Sequence, residues 1–450
     1  MGGYGRTRWA VWTWALLMVG CGPSDGPAVE PPLVEEEPPS LEAPTPPSEQ
    51  PLPDVIVVAP VRPGDEQEST PRPAPPMFQP GFHQALRWSY STSQATSGTL
   101  TVRLRVPVGR PGQRVRLTFR SGDGSLSLSK ATVAKAGANG ALASSPVAVT
   151  FAGSAGFSVG ARALAVSDPI PFTEGFRDEL AISFEVKGAL GASAIETLPG
   201  SYLRSGTYAS TSGALGGTAS GIGLGLATVD VEGPPSRAFV AIGDSITEGY
   251  ISERDDTRKA WPALAEAQLG VPVVNSGVSG QGFYEELENL DQEVLSLQGI
   301  TDCIVLLGTN DLSSLDMAGL QRRMEGLVTR LQPRCRTWVS TLLPKEKSNH
   351  GDYEVVKRDR LAFNAWLRTT YGSSLIDLEA VTRQPDNVHL FLDGLEVDGI
   401  HPSAKGHQVM AAEVTRVLRA AGVQAAAGVQ VQEPAGDAST DAPSSSPSEP

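Results

Sequence analysis

Four short polar segments hold the residue types that chemistry needs: Gly243-Asp244-Ser245-Ile246-Thr247, Asn275-Ser276-Gly277-Val278-Ser279-Gly280, Gly308-Thr309-Asn310-Asp311 and Asp398-Gly399-Ile400-His401-Pro402. A serine hydroxyl is a weak nucleophile until a base stands within hydrogen-bond reach. Histidine suits that task because its charge changes near neutral pH. Asp398 precedes His401 by one turn's spacing, so its carboxylate can meet Nδ1, fix the tautomer and stabilise the imidazolium. Nε2 is then free to face Ser245. Acyl transfer also builds charge on a carbonyl oxygen, which preorganised donors must meet. The backbone N–H of Ser245, the backbone N–H of Gly280 and the side-chain amide of Asn310 are the candidate donors for that oxyanion hole.

Each feature has rivals. Gly-Asp-Ser alone is ordinary turn chemistry; four such segments in order, three of them directly after strands, are not explained by packing. His83, His350, His389 and His407 lack an Asp three residues earlier beside a catalytic strand end, and His407 is expected on the closing helix or beneath the loop. Asp393 echoes Asp398, but its spacing to His401 is wrong for the acid's role. Asn310 could instead cap the next segment, and Asp244 is expected to orient the nucleophile turn through backbone hydrogen bonds. Gly156-Phe157-Ser158-Val159-Gly160 matches the G-x-S-x-G string, yet that motif needs a strand–turn–helix setting, which is missing there. No pair of histidines has metal-ligand spacing and no cofactor motif is present, so neither a metal nor a cofactor is expected.

The elements that must position these residues follow from periodicity. After Pro235, Ala238–Ile242, Val271–Val274, Cys303–Leu307, Thr337–Leu343 and Leu375–Leu378 read as strands. Arg258–Leu269, Met317–Leu331, Tyr353–Thr370 and Ala404–Ala421 read as helices. Strands alternating with helices imply an α/β domain with a parallel sheet and helices on both faces, and in such sheets ligands bind at the carboxyl ends of the strands. From about 82 to 232 the period is two, as in Leu100, Val102, Leu104 and Val106, with further runs at Val115–Phe119, Leu126/Leu128, Val147–Phe151 and Leu180–Phe184. Turn signals such as Ser121-Gly122-Asp123-Gly124 separate the runs, and a Gly/Ala/Ser-rich stretch from Gly213 to Ala227 reads as loop. This part is expected to be an all-β sandwich.

GDSIT, NSGVSG, GTND and DGIHP, in that order, resemble the SGNH (GDSL) hydrolase family over roughly 235–422. The resemblance implies Ser245, Gly280, Asn310 and His401 as the motif residues, with Asp398 as the acid. It implies a carboxylic-ester hydrolase on a flavodoxin-like three-layer domain that works without a cofactor. The preceding β-module resembles the jelly-roll-like domain before the catalytic part of some secreted bacterial members, PVAVTFAG and SDPI being the suggestive strings. The loop GYISERDDTRKAWP after the nucleophile has no family pattern and leaves acyl or sugar preference open.

The whole chain sets the remaining bounds. Its 450 residues exceed one ordinary domain, and a formal charge of −14 without a Lys/Arg cluster argues against nucleic acid. Arg6 and Arg8 before the apolar run Trp9–Val19 read as an export signal at 1–21. Leu16-Leu17-Met18-Val19-Gly20-Cys21 resembles a bacterial lipobox, which implies lipid attachment on Cys21; the alternative is an ordinary signal peptide. Residues 22–81, rich in Pro, Glu and Ser, read as a disordered linker, followed by the β-module at 82–232, the catalytic domain at 235–423 and a disordered tail at 424–450. The chain is therefore expected to be exported as a cell-envelope lipoprotein, touching the membrane only through its lipid. Cys303 and Cys335 are either paired or two buried thiols. The expected partner is an ester-bearing small molecule or polysaccharide. The expected reaction is hydrolysis of short-chain, chiefly acetyl, esters through an acyl-enzyme. The alternatives are an acyltransferase sharing that intermediate and a glycan-binding envelope protein.

Overall fold

The computed structural model describes residues 75–432 except 96–97, 252–255 and 427. The expected leader, Cys21, most of the linker and the end of the tail lie outside the described residues.

The β-module is built from β1 (Met77–His83), β2 (Trp88–Ser91), β3 (Leu100–Val108), β4 (Gly112–Lys135), β5 (Val147–Val149), β6 (Phe157–Val159), β7 (Leu164–Val166), β8 (Ile170–Glu174), β9 (Asp178–Glu196), β10 (Tyr202–Ser205), β11 (Thr218–Ala219), β12 (Ile222–Leu224) and β13 (Leu226–Gly233). Every ladder among these strands is antiparallel. The first half of β4 pairs with β13, β7 and β8, and its second half with β9, β5 and β6. One long strand thus belongs to two layers. Val115, Leu117, Val229 and Val231 from one layer and Val102, Leu104, Ile182 and Phe184 from the other share a single core, which is the sandwich expected from the alternation.

Three expectations need correction here. Ser121–Gly124 is no turn between strands: β4 continues through it, with a register shift between Ser121 and Leu126 that carries the strand from one layer to the next. Glycine in a strand marks such a bulge as readily as a turn. The Gly/Ala/Ser-rich stretch contains β11, β12 and the start of β13, and buries Leu224 and Leu226. The module also begins earlier than residue 82, because β1 starts at Met77 and pairs with β13. Within Gly156–Gly160, Phe157–Val159 is strand β6 paired with β4, so no nucleophile elbow forms there.

The catalytic domain contains β14 (Phe239–Gly243), α1 (Ser245–Glu248), α2 (Trp261–Leu269), β15 (Val273–Gly277), α3 (Phe283–Leu290), β16 (Asp302–Leu306), α4 (Met317–Leu331), β17 (Arg336–Ser340), α5 (Tyr353–Tyr371), β18 (Leu375–Ile376), α6 (Leu378–Thr382) and α7 (Ala404–Ala420). The sheet is parallel, in the order β15-β14-β16-β17-β18. Numbered from its own first strand this is 2-1-3-4-5, the flavodoxin-like order, whose switch point lies between β14 and β16. Alternate residues face opposite layers: Val240, Ile242, Cys303 and Val305 pack with residues of α3, α4 and α5, while Phe239, Ala241, Ile304 and Leu306 pack with residues of α2 and α7. The helices start where caps allow: Asp316 accepts from the Gly319 N–H (2.7 Å) and Ser403 from the Gly406 N–H (3.1 Å). The sequence reading missed α3 and the π-helical turn Asp291–Leu295 after it. The start of the expected tail is held as well, since the Ala426 N–H donates to Gly270 O (3.1 Å) and the Gln432 N–H to Ala267 O (3.0 Å).

The two modules share a buried polar interface. Gln84 bridges Asn275 on the outer strand β15, so the β-module covers an edge that would otherwise invite pairing. Arg120 is paired with Glu293, both nearly fully buried. Beside them, burial and the nearby Glu293 push the Glu286 carboxyl up to about 8, against the opposing pull of its Gln281 hydrogen bond and of Arg87.

Cys303 and Cys335 form a disulfide. It links the start of β16 to the residue before β17, its neighbour in the sheet, and closes a separation of 32 residues. In the chain-entropy picture a loop of that length is worth roughly 3–4 kcal/mol. The Cys303→Ala/Cys335→Ala pair should therefore unfold at clearly lower urea than wild type; equal midpoints would remove the disulfide as a stabiliser. The folded state also holds a proton on Glu286 that the unfolded chain releases near 4.5. Stability should consequently fall as pH rises through about 8, and the fall between pH 6.5 and 8 should be shallower in Glu286→Gln. His83 and His407, whose pKa values burial lowers to about 3 and about 4, act with the opposite sign below that window.

Candidate active site

The central strand β14 ends at Gly243, and Asp244 caps the turn that follows, its carboxylate accepting from the Ile246 N–H (2.9 Å). Ser245 is thereby placed at the carboxyl end of the strand beside the switch point, 9% exposed. Its hydroxyl lies 2.8 Å from His401 Nε2. His401 Nδ1 lies 3.0 Å from Asp398 Oδ2 and 3.2 Å from Oδ1. Asp398 Oδ1 also accepts the backbone N–H groups of Ile400 (3.0 Å) and His401 (2.9 Å). Burial pushes the Asp398 carboxyl up, but these bonds outweigh it and hold the pKa below the ordinary carboxylate value. It is ionised at neutral pH, the state that orients the ring and offsets an imidazolium. The Tyr250 ring packs against His401 with centroids 4.3 Å apart.

Among the five histidines, His401 is the ring bonded to Ser245. His407 is fully buried, accepts the Trp261 N–H on Nδ1 (3.2 Å) and is held neutral by burial, which lowers its pKa to about 4. Asp393 is exposed and Asp398 is the acid in contact with the ring. Asp244 keeps the positioning part expected of it.

Gly280 and Asn310 line one recess. Asn310 Nδ2 donates one hydrogen to Gln281 O (3.0 Å), and an amide nitrogen carries two. Gly280 has φ +83°, a left-handed conformation that costs a residue with a Cβ about 1–2 kcal/mol. Gly277 is needed for another reason, since a Cβ there would fall 2.2 Å from the Glu248 nitrogen. The loop after β15 thus lies directly on α1.

Several residues the sequence reading passed over hold these loops. Gln281 donates from Nε2 to Gly243 O (2.7 Å) and to Glu286 Oε2 (2.8 Å). Asp311 caps α3, accepting the Phe283 N–H at 3.1 Å and 3.2 Å. Lys345 donates to Thr309 O (2.8 Å), and burial pushes its pKa down to about 8 while pushing that of its neighbour Asp244 up to about 7. Glu248, 2% exposed, accepts the Ser279 N–H and hydroxyl on Oε2 (2.6 Å each) and the Ala194 N–H of β9 on Oε1 (3.0 Å).

A serine, a histidine and an aspartate bonded in series at the switch point of a parallel sheet define a class, the α/β serine hydrolases. Residues 241–409 match the model of the GDSL-like Lipase/Acylhydrolase family; this part of the chain belongs to that family and is a carboxylic-ester hydrolase domain of the SGNH type. No curated protein matches the chain. Among solved structures, a G-D-S-L family protein from Desulfitobacterium hafniense is 24% identical, covering 40% of this chain and 98% of that one at a TM-score of 0.35. A member of the lipolytic protein G-D-S-L family from Veillonella parvula is 17% identical, with 41% and 99% covered and a TM-score of 0.35. An acetylxylan esterase from Geobacillus stearothermophilus is 18% identical, with 40% and 93% covered and a TM-score of 0.32. Likenesses at these scores carry no weight, and the family rests on the sequence match.

The Glu248 carboxylate predicts a separable effect. Glu248→Ala frees the Ser279–Gly280 turn, and a misplacement of about 1 Å near reacting atoms costs up to about 10²-fold. On p-nitrophenyl acetate kcat should drop at least about tenfold with KM nearly unchanged, Glu248→Gln falling in between. A lowered melting temperature with wild-type kcat would assign Glu248 to stability alone.

Proposed function

We propose that the chain is a serine esterase that removes short acyl groups, chiefly acetyl, from carbohydrate-borne esters. Ser245 is the nucleophile, His401 the general base and acid, and Asp398 the residue that orients His401. The observation that carries the reading is the 2.8 Å contact between Ser245 Oγ and His401 Nε2 with Asp398 behind the ring.

In this reading Ser245 Oγ attacks the ester carbonyl while its proton passes to His401 Nε2. The negative oxygen of the tetrahedral intermediate is met by the backbone N–H groups of Ser245 and Gly280 and the free amide hydrogen of Asn310. Collapse breaks the carbon–oxygen bond to the alcohol, which takes the proton from His401 and leaves. Water then repeats the sequence on the acyl-serine, with His401 accepting its proton and returning it to Ser245. An acceptor hydroxyl in place of that water would make the same chain an acyltransferase. The preference for a short acyl group is supported by the recess at Gly280 and Asn310, which is lined by Glu285, Asp311, Arg323 and His350 rather than by an apolar tunnel. Export and tethering through Cys21 complete the proposal and rest on the leader and the Pro-rich segment alone.

Ser245→Ala should lower p-nitrophenyl acetate turnover by about 10⁴-fold or more, Asp398→Asn by up to about 10⁴-fold and Asn310→Ala by about 10²–10³-fold. Rates are measured beside a series of longer p-nitrophenyl esters, on which activity should decline with chain length. Wild-type turnover in Ser245→Ala would sink the mechanism, and equal rates along the series would sink the short-acyl preference.

A further inference from the structure

Two exposed aromatic side chains line two recesses that share residues of the loop carrying Gly280. Trp88 on β2 is 57% exposed and Tyr284 at the start of α3 is 56% exposed. Trp88 lines a recess with Ser279 and Gly280, and Tyr284 lines the recess that Gly280 shares with Asn310. Gly280 and Glu285 belong to both. Gly280, a candidate oxyanion donor, therefore lines one recess with a ring from the β-module and another with a ring from the catalytic domain.

The surroundings of these rings say what they fit. Arg87, Gln281, Glu285, Asn310 and Arg323 supply polar groups between and around them. An acyl chain or an aryl ester would be better served by a closed apolar pocket. A cleft with flat aromatic faces at its flanks and hydrogen-bonding groups between them suits a ligand with apolar C–H faces and a polar rim. A pyranose ring has that make-up: its C–H groups meet the negative face of an aromatic ring, and its hydroxyls pair at the edge.

Trp88 is also held in register with the chemistry. It pairs with Ala192 of β9, and two residues further along β9 the Ala194 N–H donates to Glu248, whose other oxygen holds the Ser279 N–H. The β-module thus presents its ring from a strand tied to the same carboxylate as the Ser279–Gly280 turn.

We propose that Trp88 and Tyr284 are the two aromatic platforms of one glycan cleft that passes Gly280, so that the β-module supplies part of the substrate site. The proposal deepens the carbohydrate-esterase reading and rests on it. Sugar units on either side of the acylated one contact the two rings, and the ester is delivered to Ser245 between them.

The test uses the described chain with both modules and compares wild type, Trp88→Ala, Tyr284→Ala and the double variant. Substrates are p-nitrophenyl acetate and acetylated oligosaccharides of increasing length derived from xylan, cellulose and chitin. The ratio of oligosaccharide to p-nitrophenyl acetate kcat/KM should fall about three- to tenfold for each ring removed, mainly through KM and more for long than for short oligosaccharides. Trp88→Phe should recover part of the loss. In parallel, calorimetry should show unacetylated oligosaccharides binding Ser245→Ala more tightly than Ser245→Ala/Trp88→Ala. If wild type deacetylates oligosaccharides and the ring variants do so with an unchanged ratio, the platforms are overturned and the esterase reading stands. If wild type cleaves p-nitrophenyl acetate but neither cleaves nor binds any oligosaccharide, the carbohydrate reading and the cleft fall together.

Discussion

The carboxylate of Glu248 sits where three separately made segments meet: the end of α1, the turn after β15 and strand β9 of the other module. At 2% exposure it is out of water. Burial raises its pKa, against the opposing pull of Ser279 and Ala194. A buried carboxylate is tolerated only where donors satisfy it, so its presence fixes Ser279 and Ala194 as firmly as they fix it. The proposed mechanism needs the Gly280 N–H aimed at one point relative to Ser245, and Glu248 lies three residues beyond that serine on the same short helix. The contact that satisfies one buried charge is therefore also the contact that sets the loop against the nucleophile.

The rest of the site depends on the strand order. Because β14 lies between β15 and β16, the chains leaving β15 and β16 depart on either side of Ser245. One carries Gly280 and the other Asn310, and Gln281 joins them by accepting from Asn310 Nδ2 and donating to Gly243 O. His401 arrives last, just before α7, which Ser403 caps. A reacting group could be assembled elsewhere on such a fold only by longer loops, since the switch point is where two loops part and leave a crevice.

Much of this was legible in the residues. Met317–Leu331 is helical over the expected span because apolar residues recur at helical spacing behind an Asp cap, and the period of two located the strands of the sandwich. Ser245, His401 and Asp398 were legible because their roles demand particular side chains at particular separations. Other features were hidden for physical reasons. Ser121-Gly122-Asp123-Gly124 has the composition of a turn, yet neighbouring strands on both sides draw it into a bulge. The stretch Gly213–Ala227 looks too poor in side chains to matter, but Leu224 and Leu226 are enough to seat two strands on the core. Phe283, Leu290 and Val294 marked the missed helical turns and were masked by the acidic residues between them. Glu248, Gln281 and Lys345 work through backbone groups distant in sequence, so nothing local could announce them.

The interface between modules adds a constraint that neither module imposes alone. Arg120 and Glu293 face each other across it, with His83, Glu286 and Arg87 close by. Separating a buried ion pair leaves each charge to be solvated anew or neutralised, and removing one partner typically costs about 3–5 kcal/mol. Apolar contacts could slide without much penalty, whereas charges that must remain paired permit one arrangement. The described residues form one compact unit, and this polar seam contributes to it. The seam also explains why the edge of β15 can be left to the neighbouring module: Gln84 occupies it beside Asn275, whose own amide holds Thr247 O at 2.7 Å. An edge strand that needs covering, a charge that needs pairing and a turn that needs bracing are met along one interface, by Gln84 beside Asn275, Arg120 on Glu293 and Ala194 on Glu248, so the β-module is built into the catalytic domain rather than attached to it.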